Sequence, residues 1–172
     1  LQEAEAKIET LGDAGVVWHF IGPIQSNKTR AIAEHFDWVH SIERTKIAER
    51  LATQRPARLP PLDVCLQVNV SGEATKSGVS PDDVPALARA IKALDRLRLR
   101  GLMAIPEPTD DADLQRARFR MLRELRDRIA LEVGPLDTLS MGMSDDLESA
   151  IAEGATMVRV GRALFGNRPR AA

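Results

Sequence analysis

Between Leu139 and Gly166 the chain reads L-S-M-G-M-S-D-D-L-E-S-A-I-A-E-G-A-T-M-V-R-V-G-R-A-L-F-G, a spacing of Ser, Gly and Arg that suits an anion. An apolar run ends in Ser140-Met141-Gly142-Met143-Ser144, and a helix is expected to follow. Ser144 is placed to cap that helix, Asp145 and Asp146 fall in its first turn where they favour the dipole, and Gly154 supplies a left-handed stop. A second run then closes on Val158-Arg159-Val160-Gly161, and Arg162–Gly166 has the length of one short helical turn. Free N–H groups at a helix start and a side-chain-free Gly161 let a phosphate approach the backbone, with a hydroxyl from Ser140 or Ser144 and the charge of Arg159 close by. The same residues have a plainer use: glycines that turn the chain, serines that cap, and an arginine paired with Asp or Glu at the edge of the core.

Three other stretches leave apolar runs with polar residues at their ends. Trp18–Lys28 carries His19, Gln25, Asn27 and Lys28; Asn69–Gly78 carries Asn69 and Lys76; Gly101–Pro106 carries Met103. His19 reads equally as a satisfied buried histidine, Asn27 as a helix cap and Met103 as core filling. No His/Cys/Asp spacing fits zinc, no G-x-x-x-x-G-K-[ST] is present, and no G-x-S-x-G elbow occurs.

The elements that must position these residues follow from hydrophobic patterning. Six short apolar runs, Val16–Gly22, Trp38–Ile42, Asp63–Val70, Leu99–Ile105, Thr138–Met143 and Met157–Gly161, read as strands. Val84, Leu87, Ala88, Ile91 and Leu94 repeat at helical spacing, opened by Ser80 as cap and Pro81 at the first helical position. Leu114, Ala117, Met121, Leu122, Leu125 and Ile129 repeat likewise, and Leu1, Ala4, Ile8 and Leu11 place the chain's start inside a helix. Ala52–Pro61 reads as a loop. Such β/α alternation builds either an open doubly wound sheet or most of an eight-stranded barrel.

Composition narrows the classes further. The 172 residues, 44% hydrophobic and 28% charged, suit one soluble domain. The 24 Lys and Arg against 25 Asp and Glu form no block that would favour nucleic acid or an anionic membrane. No stretch approaches the roughly 18 apolar residues of a membrane span. Cys65, the single cysteine, excludes an internal disulfide and fits a reducing compartment, so a cytoplasmic protein is expected.

Taken together and in order, W-H-F-I-G-P-I-Q-S-N-K, V-H-S-I-E-R, V-N-V-S-G-E-A-T-K-S-G, G-L-M-A-I-P and the Leu139–Gly161 stretch resemble the pyridoxal 5'-phosphate (PLP) homeostasis family over nearly the whole chain. The resemblance implies a (β/α)8 TIM barrel of the alanine racemase type, a single PLP-binding domain over 1–172. It also implies buffering or delivery of PLP without amino-acid catalysis, and a full-length monomer that hands PLP to PLP-dependent apo-enzymes. It implies that Ser140, Ser144 and Gly161 contact the PLP phosphate, that Arg159 lies near the pyridine ring, and that Asn69, Met103 and His19 line the pocket.

The family's Schiff-base lysine sits on its first strand, in a motif this chain lacks, and the second-strand motif is lacking too. The six runs are therefore expected to be strands three to eight, with the cradle present and its covalent partner absent. Of the lysines present, Lys7, Lys28, Lys46, Lys76 and Lys92, only Lys28 and Lys76 fall in loops on the active face, and Lys76 is the candidate for transfer-related imine formation. The alternative is a fragment of a PLP-dependent racemase or decarboxylase barrel. A PLP-independent phosphate-binding barrel enzyme is a third reading.

Overall fold

The computed structural model describes residues 1–12, 14–72 and 77–166. Five strands, β1 (His19–Phe20), β2 (Trp38–Ile42), β3 (Leu62–Gln67), β4 (Leu97–Met103) and β5 (Thr138–Ser140), form one sheet in the order β1-β2-β3-β4-β5. Every neighbouring pair is parallel. Between and around them run α1 (Gln2–Leu11), α2 (Thr29–His35), α3 (Thr45–Gln54), α4 (Val84–Lys92), α5 (Ala112–Val133), α6 (Leu147–Ala152) and α7 (Arg162–Phe165).

Strand order equal to chain order carries the architecture. Right-handed crossovers that always step the same way deposit every helix on one side of the sheet, whereas a doubly wound sheet must reverse direction once. The helices accordingly touch in succession, α2 on α3, α3 on α4, α4 on α5 and α5 on α6. The result is a half-barrel wall with its helices outside. Val39, Val64, Leu66, Leu99, Leu102 and Leu139 turn outward into a core shared with Ile32, Leu51, Leu87, Ile91, Leu122 and Ile129 of the helices. Burying each such side chain contributes about 1.5–3 kcal/mol.

Alternate residues face the concave side, and there the chemistry is polar: His40, Asp63 and Ser140 are buried, together with Cys65 and Met103. Near the amino ends of the strands Asp63 pairs with Arg98 and Arg100, and Arg100 also pairs with Asp137 and lies 4.8 Å over the Trp38 ring. Outside the wall, Arg55 donates to the Ala33, Phe36 and Pro60 carbonyls at 2.7–2.8 Å, a cation closing the carboxyl end of α2. Buried Glu153 accepts from Arg116, Arg120 and Arg123, which locks α5 against the end of α6.

Several boundaries differ from the sequence expectation. The sixth run is no strand: Met157 makes a single parallel bridge to Ser140, and the chain then turns toward α7. Ser80 and Pro81 precede α4 in a turn, its N-cap being Asp83. Pro85 has no N–H to return to Pro81, so the backbone ladder opens with Leu87 donating to Asp83. Ala52–Gln54 complete α3 instead of opening a loop. In α5, Leu114, Ala117 and Met121 face outward, while Phe119, Leu122, Leu125, Ile129 and Val133 make the buried face. Ser144 does not cap α6, whose N-cap is Asp146.

Candidate functional site

The loop after β5 and the segment from Arg159 through α7 meet at a cleft of ≈ 740 Å³ lined by Ser144, Asp145, Arg159, Gly161, Arg162 and Phe165, among others. Register brings them there. Ser140 pairs with Met103 on one side and Met157 on the other, and the Arg159 amide donates to the Gly142 carbonyl at 2.9 Å. The loop after β5 is held by the Asp146 carboxylate, which accepts the Met143 amide at 2.6 Å.

Two glycines of these segments have different physical reasons to be there. Gly142 has φ +94°, and a Cβ built on it would lie 2.6 Å from the Ala150 Cβ, so its role is packing and backbone. Gly161 has φ −121°, open to any residue, and a Cβ there would meet nothing within 4 Å. Its missing side chain leaves space in the cleft, and that is the reading a ligand requires. Among the described residues the Gly161 and Arg162 amides donate to no backbone carbonyl, and the Ala163 amide meets Ser144 Oγ at 3.3 Å. Ser144, Gly161 and the first turn of α7 thus converge on the cleft.

Arg159 is largely committed. One Nη1 donates to both the carbonyl and the hydroxyl of Ser140 at 2.8 Å, and Nη2 donates to the Ala104 carbonyl at 2.9 Å. Its Nε is buried without a hydrogen-bond partner. A buried guanidinium donor left unpaired costs free energy unless a ligand acceptor completes it. Burial lowers the guanidinium from its ordinary pKa, while Asp146 pulls the other way.

Behind Arg159 runs a polar chain that the sequence did not reveal. Ser140 Oγ lies 2.8 Å from His40 Nδ1, and His40 Nε2 lies 2.9 Å from His19 Nδ1. The buried hydroxyl hydrogen of Ser140 has its acceptor in His40 Nδ1, since Arg159 only donates. That assignment makes His40 the Nε2–H tautomer donating to His19. Burial, then His19, then Arg159 lower the His40 pKa to about 4; His19 is lowered as well, mainly by burial. Trp38 stacks on His19 with ring centroids 5.4 Å apart.

The remaining expected site residues divide. Ser140 is fully buried beneath Arg159 and does not line the cleft, because its hydroxyl is occupied by His40 and Arg159. Met103 is buried in register beside it, and His19 closes the polar chain at its far end. Asn69 Oδ1 accepts the Ser71 and Gly72 amides, closing its own loop. Lys28 ends a 3-10 turn, Ser26–Lys28, that also holds Asn27, and it lines a different cleft with Leu1, Phe20 and Gln25. Lys76 lies outside the described residues. Among the described residues no group of His, Cys, Asp and Glu is placed to hold a metal ion, and no helix is long and apolar enough to cross a membrane.

Comparison with known proteins matches residues 1–169 to the family described as alanine racemase, N-terminal domain. A pyridoxal phosphate homeostasis protein of Pseudomonas aeruginosa is 68% identical over 168 residues, covering 98% of this chain and 72% of the relative. Among solved structures, PipY of Synechococcus elongatus without PLP superposes with a TM-score of 0.88 at 39% identity, covering 96% of this chain and 78% of the other. PipY with PLP bound gives 0.86 at 37% identity over the same shares.

Proposed function

The chain belongs to the alanine racemase N-terminal domain family, among its pyridoxal phosphate homeostasis proteins, and from that premise we propose that it binds PLP and buffers or delivers it without amino-acid catalysis of its own. The carrying observation is the unpartnered Nε of Arg159 at the wall of a cleft that Gly161 leaves open. A pyridine nitrogen is an acceptor that would complete that donor, and a phosphate is the anion that the Ser144 hydroxyl and the free amides of Gly161 and Arg162 suit. When bound, PLP supplies an electrophilic aldehyde and an electron-poor ring.

The residues of this chain then have distinct tasks. Arg159 orients the ring, and Ser140, expected as a phosphate contact, instead holds Arg159 from behind. Ser144 and Gly161 receive the phosphate. Met103 and His19 support the wall, and Asn69 shapes the rim loop. The five strands and the Met157 segment correspond, in this reading, to strands three to eight of a (β/α)8 barrel forming one domain. Relatives that extend beyond the matched region support it, as do the outer edges of β1 and Met157, unpaired among the described residues. The lysine that would bond PLP covalently belongs to strand one of that barrel. We read the complete protein as a cytoplasmic monomer that passes PLP to apo-enzymes; the racemase or decarboxylase alternative draws support from the family's fold alone.

Titration of the full-length protein with PLP, followed by the absorbance of the bound cofactor, tests the site. Arg159→Ala and Gly161→Val are both expected to weaken binding, on the order of tenfold each, by removing a charge-assisted donor and by filling the open space. Unchanged occupancy in both variants removes the assignment.

A further inference from the structure

We propose that Arg162 is the phosphate-recognising cation of this site and that Asp145 competes with phosphate for it, so that the pair sets how tightly PLP is held. The inference rests on the PLP reading above and adds residues that the sequence did not single out as ligands. Arg162 Nη2 pairs with Asp145 Oδ2 across the cleft, and both residues line it together with Ser144 and Gly161.

The two arginines at this cleft are not equivalent. Arg159 has its Nη1 and Nη2 tied to Ser140 and Ala104 at 2.8–2.9 Å, so it has a fixed position, with its buried Nε the one nitrogen left without a partner. Among the described residues Arg162 is held only by Asp145, with side chains 56% and 76% exposed respectively. An exposed ion pair contributes little, so the guanidinium is retained weakly. A phosphate monoester carries a charge near −2 at neutral pH and offers three acceptor oxygens in the geometry a guanidinium fork matches, so it takes Arg162 from a single carboxylate at small cost. A carrier needs both tendencies: a cation that selects the phosphorylated form and a built-in competitor that reclaims the cation on release.

The test measures PLP and pyridoxal affinities of the full-length protein as wild type, Asp145→Asn, Arg162→Gln and the double variant. Both side chains are exposed and outside the core, so the fold is expected to persist, checked by circular dichroism. Asp145→Asn is expected to bind PLP about threefold more tightly and Arg162→Gln about threefold more weakly, with the double variant equal to Arg162→Gln alone. Pyridoxal, which lacks the phosphate, is expected to bind all four alike. The inference falls if Asp145→Asn does not tighten PLP binding, if its effect survives without Arg162, or if pyridoxal shifts in parallel. A wild type that takes up no PLP overturns the underlying reading together with this one, whereas a wild type that binds PLP with an inert Asp145→Asn overturns this one alone.

Discussion

Burial holds the His40 imidazole at a pKa of about 4, with His19 and Arg159 pushing the same way. In the unfolded chain the same ring titrates near its ordinary value of 6.5. Between these values the unfolded chain binds the proton and the folded one does not, so stability falls as pH drops through that window and is fully present above it. From pH 7 to pH 5 the loss is expected to be about 2 kcal/mol. His40→Asn keeps an acceptor beside Ser140 and removes the titrating ring, so urea denaturation at the two pH values is expected to show a smaller difference in the variant. An equal difference would take His40 out of the account. The residue was not legible in the sequence because a lone His in V-H-S-I reads as packing, and its partners lie 21 and 100 positions away. Ser144, Arg159 and Gly161 were legible because they sit within one strand–helix–turn stretch whose local geometry brings them together.

At the scale of elements, apolar runs located every strand of the sheet, since a strand inside a β/α wall is buried on its outer face whatever its neighbours do. What they missed depended on context. The Met157 run has the composition of a strand and only one bridge, because pairing needs a partner along its length and β5 offers three residues. The α5 face shifted because Phe119 and Val133 set the buried stripe, while Leu114 and Met121 lie on the solvent side. Strand spacing itself depends on one residue: a Cβ on Gly101 would lie 1.8 Å from the Thr138 carbonyl oxygen, inside the β4–β5 pairing. Backbone must yield, since no flexible side chain is involved. Gly101→Ala is therefore expected to destabilise the protein by about 3 kcal/mol, read from thermal or urea unfolding, and to loosen Ser140 and hence Arg159. A variant within 0.5 kcal/mol of the wild type, roughly the range of ordinary surface substitutions, would show that the two strands are not held this closely.

At the scale of the whole molecule, a half-barrel wall has a consequence that no single element shows. β1 pairs only with β2 and Met157 only with Ser140, so among the described residues both ends of the sheet present unpaired backbone. Apolar side chains accompany each edge: Val16 and Val17 (56% exposed) before β1, and Val158, Leu164 and Phe165 (85% exposed) after β5. Unpaired edges flanked by exposed apolar residues are templates for intermolecular pairing. The polar concave face adds to the cost, because His40 and Ser140 satisfy each other, and Asp63 pairs with Arg98 and Arg100, on a face that a closed barrel would seal from water. The 172-residue chain expressed alone is thus expected to self-associate as its concentration rises, seen as growing mass by light scattering, and to unfold broadly. Supplying the two β/α units that we assign to the amino side should cap both edges together, since in a closed barrel the first strand pairs with the last. A monomer at all concentrations with one sharp unfolding transition would mean that the wall is stable open, and the closed-barrel assignment of its strands would lose its physical support.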